Sequence, residues 1–151
     1  MDIDHFKNYN DLNGHLAGDE LLKQLTELVL DETRAQDIFG RFGGEEFLLI
    51  LPGRSSEIAV YVAEEIRQRI ESHLFPYGHE QPLGKLTISS GVASKERLVQ
   101  SSRDLLTAAD AALYRAKQSG RNRVLVSQSS FTRAKPGSRQ RPERRSLRTL
   151  L

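Results

Sequence analysis

Gly43-Gly44-Glu45-Glu46 constrains this chain more than any other stretch. Two strand-like apolar runs, 38–42 and 47–51, stand on either side of it. The pattern reads as strand, tight turn, strand, with two adjacent carboxylates at the bend. Glycine can take positive φ and lets a ligand approach the backbone closely. Paired acids placed there can hold a divalent cation beside a phosphate. A hairpin tip with solvated charges is the alternative that the same residues allow.

The rest of the chain alternates strand and helix periods. Residues 1–4 resemble the end of a strand and 5–12 a short helix. Leu21, Leu22, Leu25, Leu28 and Val29 form a helical stripe within 16–33. Pro52-Gly53 breaks the second strand of the hairpin. Ser55 or Ser56 caps a helix whose stripe is Ile58, Val62, Ile66 and Ile70. Residues 75–84 read as a loop and 86–93 as a strand. Ser101 and Asp104 have capping-box spacing ahead of a helix that buries Leu105, Ala108, Ala109, Ala112, Leu113 and Ala116. Gly120 stops that helix, and 124–126 is a last short strand. This order predicts an α/β fold (an α+β sandwich), with helices packed on one central, mostly antiparallel sheet.

At 151 residues the chain is long enough for one domain with a real core. It has no cysteine, hence no disulfide, thiolate nucleophile or Cys-based zinc site. His5, His15, His73 and His79 lack zinc-hydrolase spacing. No apolar run approaches the roughly 20 residues that span a bilayer, and the start is not a signal peptide. A cytoplasmic location follows, either free or as the cytoplasmic part of a membrane-anchored protein. The net charge of +2 conceals an asymmetry. Residues 1–127 hold 15 basic and 19 acidic groups, net −4, and 128–151 hold seven basic groups against Glu143, net +6. The expected division is a folded domain over 1–127 and a disordered Arg/Ser/Pro-rich tail over 128–151, with no specific nucleic-acid partner.

Asp2 and Asp4 flank Ile3, so their side chains share one strand face. Both are candidate Mg²⁺ ligands, and the N–H groups of His5, Phe6 and Lys7 begin a helix that can meet phosphate. Asn10 reads as a turn-capping residue and Asp19 as an acid in a helix's first turn, where acids are common.

Read together, D-I-D-H-F-K-x-x-N-D-x-x-G-H-x-x-G-D, R-x-x-D at Arg34–Asp37, G-G-E-E-F and A-D-A-A-L-Y-R-A-K-Q-S-G-R-N-R-V from Ala109 resemble the GGDEF family of diguanylate cyclases. The resemblance runs from Asp2 to about Val126. It implies a fold like the nucleotidyl cyclase and polymerase palm, and condensation of two GTP into cyclic di-GMP with release of two pyrophosphates. It implies two Mg²⁺ (or Mn²⁺) per active site, with Asp2, the Ile3 carbonyl, Glu45 and Glu46 as ligands. Glu46 would also accept a proton, and Lys7 would stabilise charge on the phosphates. His5, Phe6, Asn10, Asp19, Lys117 and Arg121 would bind GTP. Arg34 and Asp37, with Arg41, would grip cyclic di-GMP at an inhibitory site.

The family pattern also implies a homodimer for turnover and an amino-terminal sensor or regulatory module in relatives. The family's earlier helix and longer first strand are missing here, so an amino-terminally truncated domain is expected. A truncated, inactive module that binds cyclic di-GMP or GTP is the alternative. Glu65 stands where relatives often carry an arginine, which would weaken product cross-linking of two domains.

Overall fold

The computed structural model describes residues 1–94 and 101–127. The basic tail expected over 128–151 lies outside the described residues. The elements are β1 (Asp2–Ile3), α1 (Phe6–Asn13), α2 (His15–Asp31), β2 (Ile38–Arg41), β3 (Phe47–Ile50), α3 (Ser56–Ser72), β4 (Ile88–Val92), α4 (Ser102–Gln118) and β5 (Val124–Val126). A single 3-10 turn, Gly78–Glu80, interrupts the loop before β4.

β1 pairs antiparallel with β4, Asp2 opposite Ser89 and Ile3 opposite Ile88. β5 joins the other edge of β4 in parallel. β2 and β3 form the expected hairpin, Arg41 opposite Phe47. The hairpin meets β1 through an Asp2–Glu46 bridge and reciprocal 2.9 Å bonds between Met1 and Phe47. In place of one continuous sheet there are two, a three-stranded β1-β4-β5 sheet and the β2–β3 hairpin, linked at the Asp2–Glu46 bridge, with antiparallel pairing at β1–β4 and β2–β3. Among the described residues, the two-residue strand β1 is what stands between β3 and β4. A groove of about 1300 Å³, lined by Leu49, Leu51, Ala63, Val92, Leu105 and Leu113, opens there.

Strand alternation sorts the two faces. Ile3 and Ile88 are fully buried in a core shared with Phe6, Tyr9, Leu21, Leu25, Val29, Phe47, Val62, Ile66 and Ile70. Apolar burial of this kind is the main force holding the layers together. On the opposite face α4 packs on β4 and β5. A Cβ at Gly91 would stand 2.1 Å from the Ala109 carbonyl oxygen, so only glycine admits the helix this close. α4 starts at the predicted capping box, with Ser101 and Asp104 bonding each other's backbone N–H.

α3 departs from its predicted stripe. Val62, Ile66 and Ile70 are buried, but Ile58 is 46% exposed. The first turn of α3 projects beyond the core.

Candidate functional site

The predicted turn sits where β1, the β2–β3 hairpin and the end of α4 meet. The Glu46 carbonyl accepts from Phe42 N–H (2.8 Å) and Gly43 N–H (3.2 Å), closing the turn. Neither Gly43 nor Gly44 has a positive φ, so the turn does not use glycine's left-handed freedom. Only at Gly43 is room tight. A Cβ on Gly43 would stand 3.0 Å from Glu46 Oε2, and one on Gly44 would point into open space. Arg41 is committed to the same turn. Its Nε donates to Gly43 O (3.2 Å) and Gly44 O (3.1 Å), and its Nη2 to Gly44 O (2.6 Å). The sequence placed Arg41 beside the product site, but its guanidinium braces the turn carbonyls.

Asp2 is buried beside this turn, and its Oδ2 lies 2.7 Å from Lys117 Nζ. Ile3 N–H donates to Glu45 O (3.2 Å), which holds the Glu45 backbone against β1. Burial pushes the Asp2 carboxyl above its usual range, Lys117 pulls it back, and Asp4 and Glu46 add to the rise. Burial also raises Glu45, with Asp2 as the next cause. Neighbouring carboxylates in a desolvated place repel and thereby favour a cation. Among the described residues, no three His, Cys, Asp or Glu side chains converge closely enough to hold a metal ion. The candidate donors Asp2, Glu45, Glu46 and the Ile3 carbonyl are all hard oxygen, the chemistry that a cation such as Mg²⁺ would require.

Asp4, the other candidate ligand, has a different role. Its carboxylate accepts from Thr87 Oγ1 (2.8 Å), Ser89 Oγ (2.7 Å) and Asn122 N–H (3.0 Å). It is 2% exposed. These bonds pin the loop after α4 to the end of β1. In that loop Arg121 and Asn122 both take left-handed φ, 62° and 46°. The Asn122 side chain accepts from Arg67 (2.7 Å) and donates to Glu71 (3.1 Å). Asp4 and Asn122 thus set where Lys117 and Arg121 stand relative to Asp2. Asn122 was missed in the sequence, although asparagine is among the few residues that accept αL.

The remaining site residues lie on α1 and α2. His5 is the N-cap residue of α1, with φ 59°, and offers no side-chain cap. The first N–H groups of a helix have no acceptor within it, which leaves Phe6 and Lys7 N–H oriented for an anion. Phe6 is buried and Lys7 exposed. Asn10 Oδ1 is buried without a partner. It lies so close to α2 that a Cβ on Gly18 would stand 1.9 Å from it. A buried acceptor left open in this way is rare and suits an N–H donor from a ligand. Asp19 is exposed one residue further along α2.

Arg34 and Asp37 are brought together by their own turn. Arg34 N–H donates to Asp37 Oδ2 (2.8 Å) and Asp37 N–H to Arg34 O (2.9 Å). Asp37 also forms an ion pair with Arg54, a residue the sequence did not single out.

Comparison with known proteins gives a consistent result. The family model described as "Diguanylate cyclase, GGDEF domain" matches residues 1–123. Diguanylate cyclase A of Treponema denticola is 40% identical over 134 residues, covering 89% of this chain and 36% of that protein. Response regulator PleD of Caulobacter vibrioides is 38% identical over 125 residues, covering 83% of this chain and 28% of that protein. The chain thus spans about a third of the length of these relatives. Among solved structures, the active GGEEF domain of a Vibrio cholerae diguanylate cyclase aligns with TM-score 0.77 and 37% identity, covering 85% of this chain and 80% of that one. The GGDEF domain of DgcB from Caulobacter crescentus, in complex with c-di-GMP, aligns with TM-score 0.75 and 36% identity, covering 85% and 75%.

Proposed function

The chain belongs to the GGDEF family of diguanylate cyclase domains, and from that premise we propose that it condenses two GTP into cyclic di-GMP and two pyrophosphates. The observation that carries this reading is the buried Asp2 carboxylate, held beside the Glu45-Glu46 turn and 2.7 Å from Lys117. Phosphoryl transfer needs positioning and charge neutralisation more than covalent help; the carboxylates would place a cation there, and Lys117 adds positive charge.

Guanine recognition falls to Asn10, whose open buried Oδ1 accepts the exocyclic N2–H, and to Asp19. The α1 N–H groups of His5, Phe6 and Lys7 receive phosphate oxygens, with Lys117 and Arg121 on the outer phosphates. The Lys7 ammonium offsets charge that builds in the transition state. Glu46 takes the proton of the attacking 3′-hydroxyl. A divalent cation, Mg²⁺ or Mn²⁺ at two positions, held by Asp2, Glu45, Glu46 and the Ile3 carbonyl, would neutralise phosphate charge and acidify that hydroxyl.

Each 3′-hydroxyl must meet the α-phosphate of the other GTP, so two domains face each other and turnover requires a homodimer. Arg34 and Asp37 form a product-binding turn that lowers activity when cyclic di-GMP accumulates. The domain works in the cytoplasm under the control of an attached or associated sensor. Among the described residues, no helix is long and apolar enough to cross a membrane.

Incubation of the purified chain with GTP and Mg²⁺, with chromatographic detection of cyclic di-GMP, tests the proposal. Wild type forms product and Glu46→Gln does not. A folded wild-type chain that binds GTP or cyclic di-GMP without turnover would make it a binding module instead.

A further inference from the structure

The Asp37–Arg54 pair stands apart from the other ion pairs. Its side chains are 0% and 6% exposed, whereas the pairs of Arg69 with Asp31 and Glu32 lie open to solvent. The pair joins the turn after α2 to the loop after β3. It is also incomplete. An arginine fork ordinarily meets a carboxylate through two N–H groups and two oxygens. Here Arg54 Nη2 and Arg34 N–H both use Asp37 Oδ2. Asp37 Oδ1 and Arg54 Nε are buried with no partner. The Arg34 side chain makes no ion pair among the described residues, and the residue is exposed.

We infer that Arg54 is an intramolecular latch on Asp37: it covers the carboxylate that a guanine edge needs, so a guanine-bearing cyclic dinucleotide engages the Arg34–Asp37 turn only after Arg54 swings away. This rests on the reading of that turn as the product site. Guanine offers N1–H and N2–H side by side, a donor pair matched to both carboxylate oxygens, including the Oδ1 that Arg54 leaves unfilled. The ligand thus makes the better partner, but the latch must open first. Apparent affinity falls by the fraction of molecules that are open. Product inhibition in this chain is therefore blunted by its own arginine.

The test is calorimetric titration of the intact chain with cyclic di-GMP, in wild type, Arg54→Ala, Arg54→Gln and Arg34→Ala/Arg54→Ala. Arg54→Gln keeps part of the stem packing in case the alanine variant does not fold, and circular dichroism checks both. Loss of the latch tightens binding about tenfold, and the added Arg34→Ala removes the gain. Equal or weaker binding in folded Arg54 variants, with Arg34 still required, overturns the latch while the product-site reading stands. Weaker binding would make Arg54 a ligand. Binding absent from all variants, or indifferent to Arg34, overturns the product-site reading and the latch with it. Failure of both Arg54 variants to fold makes the pair a structural tie and also overturns the latch.

Discussion

Lys117 Nζ lies 2.7 Å from Asp2 Oδ2, joining the last turn of α4 to the central strand. One cation thereby offsets a buried carboxylate that burial alone would drive toward protonation. Lys117→Ala removes that offset. The Asp2 carboxyl rises further, so the acid limb of the pH–rate profile moves to higher pH. Turnover falls about a hundredfold, the scale for losing one group that stabilises developing charge. Pyrophosphate release measured across pH checks both effects, and an unmoved acid limb would show that Lys117 does not govern Asp2.

Gly18→Ala places a methyl where Asn10 Oδ1 stands. Asn10 must rotate away and its open acceptor is lost. Alanine favours helix over glycine, so α2 persists. GTP affinity falls about tenfold, the effect of one lost hydrogen bond to a buried group. Titration with GTP and ATP reads this out. Undiminished preference for GTP in a folded variant would remove Asn10 from base recognition.

Asp4→Ala strips one acceptor from Thr87, Ser89 and Asn122 together. Three donors lose a charged partner, and the chain loses about 3 kcal/mol or more of stability. Urea denaturation measures it. A loss under about 1 kcal/mol would mean that water replaces the carboxylate at no cost.

Glu71 contributes to the pH dependence of the fold. Arg67 chiefly, with Lys85 and Asn122, holds its carboxyl down from an ordinary 4.5 to about 2, against an opposing push from burial. A folded-state pKa below the unfolded one contributes stability that is present above the unfolded value and lost as pH falls through the folded value. The window is therefore about pH 4.5 down to about 2. Thermal midpoints of wild type decline across it, and Glu71→Gln shows a shallower decline. Parallel curves for the two would assign the acid sensitivity elsewhere.

Much of the architecture was legible because it is written in short-range chemistry. The Ser101–Asp104 box is a contact between residues three apart, and the stripe of Val62, Ile66 and Ile70 repeats along one helix. Ile58 carried the same period yet stands exposed, since a helix's period does not reveal where its cover ends. Gly43 and Gly44 were legible as small but not as to why. At Gly43 the constraint is room beside Glu46, which depends on where that side chain folds back, whereas nothing crowds Gly44.

The sequence by itself determined the order of elements, the turn that presents Glu45 and Glu46, and the kinship of the domain. Each of these lives in local spacing. Only the tertiary structure decided which carboxylates are ligand candidates and which are structural. Asp2 and Asp4 are two residues apart, Asp2 in β1 and Asp4 in the turn that follows it, yet Asp2 faces Lys117 while Asp4 is filled by hydroxyls and a backbone N–H. Asp37 and Arg54 meet across 17 residues, and no local period encodes that pair. Burial and partner geometry are properties of the packed chain, and they fix what each charge can do.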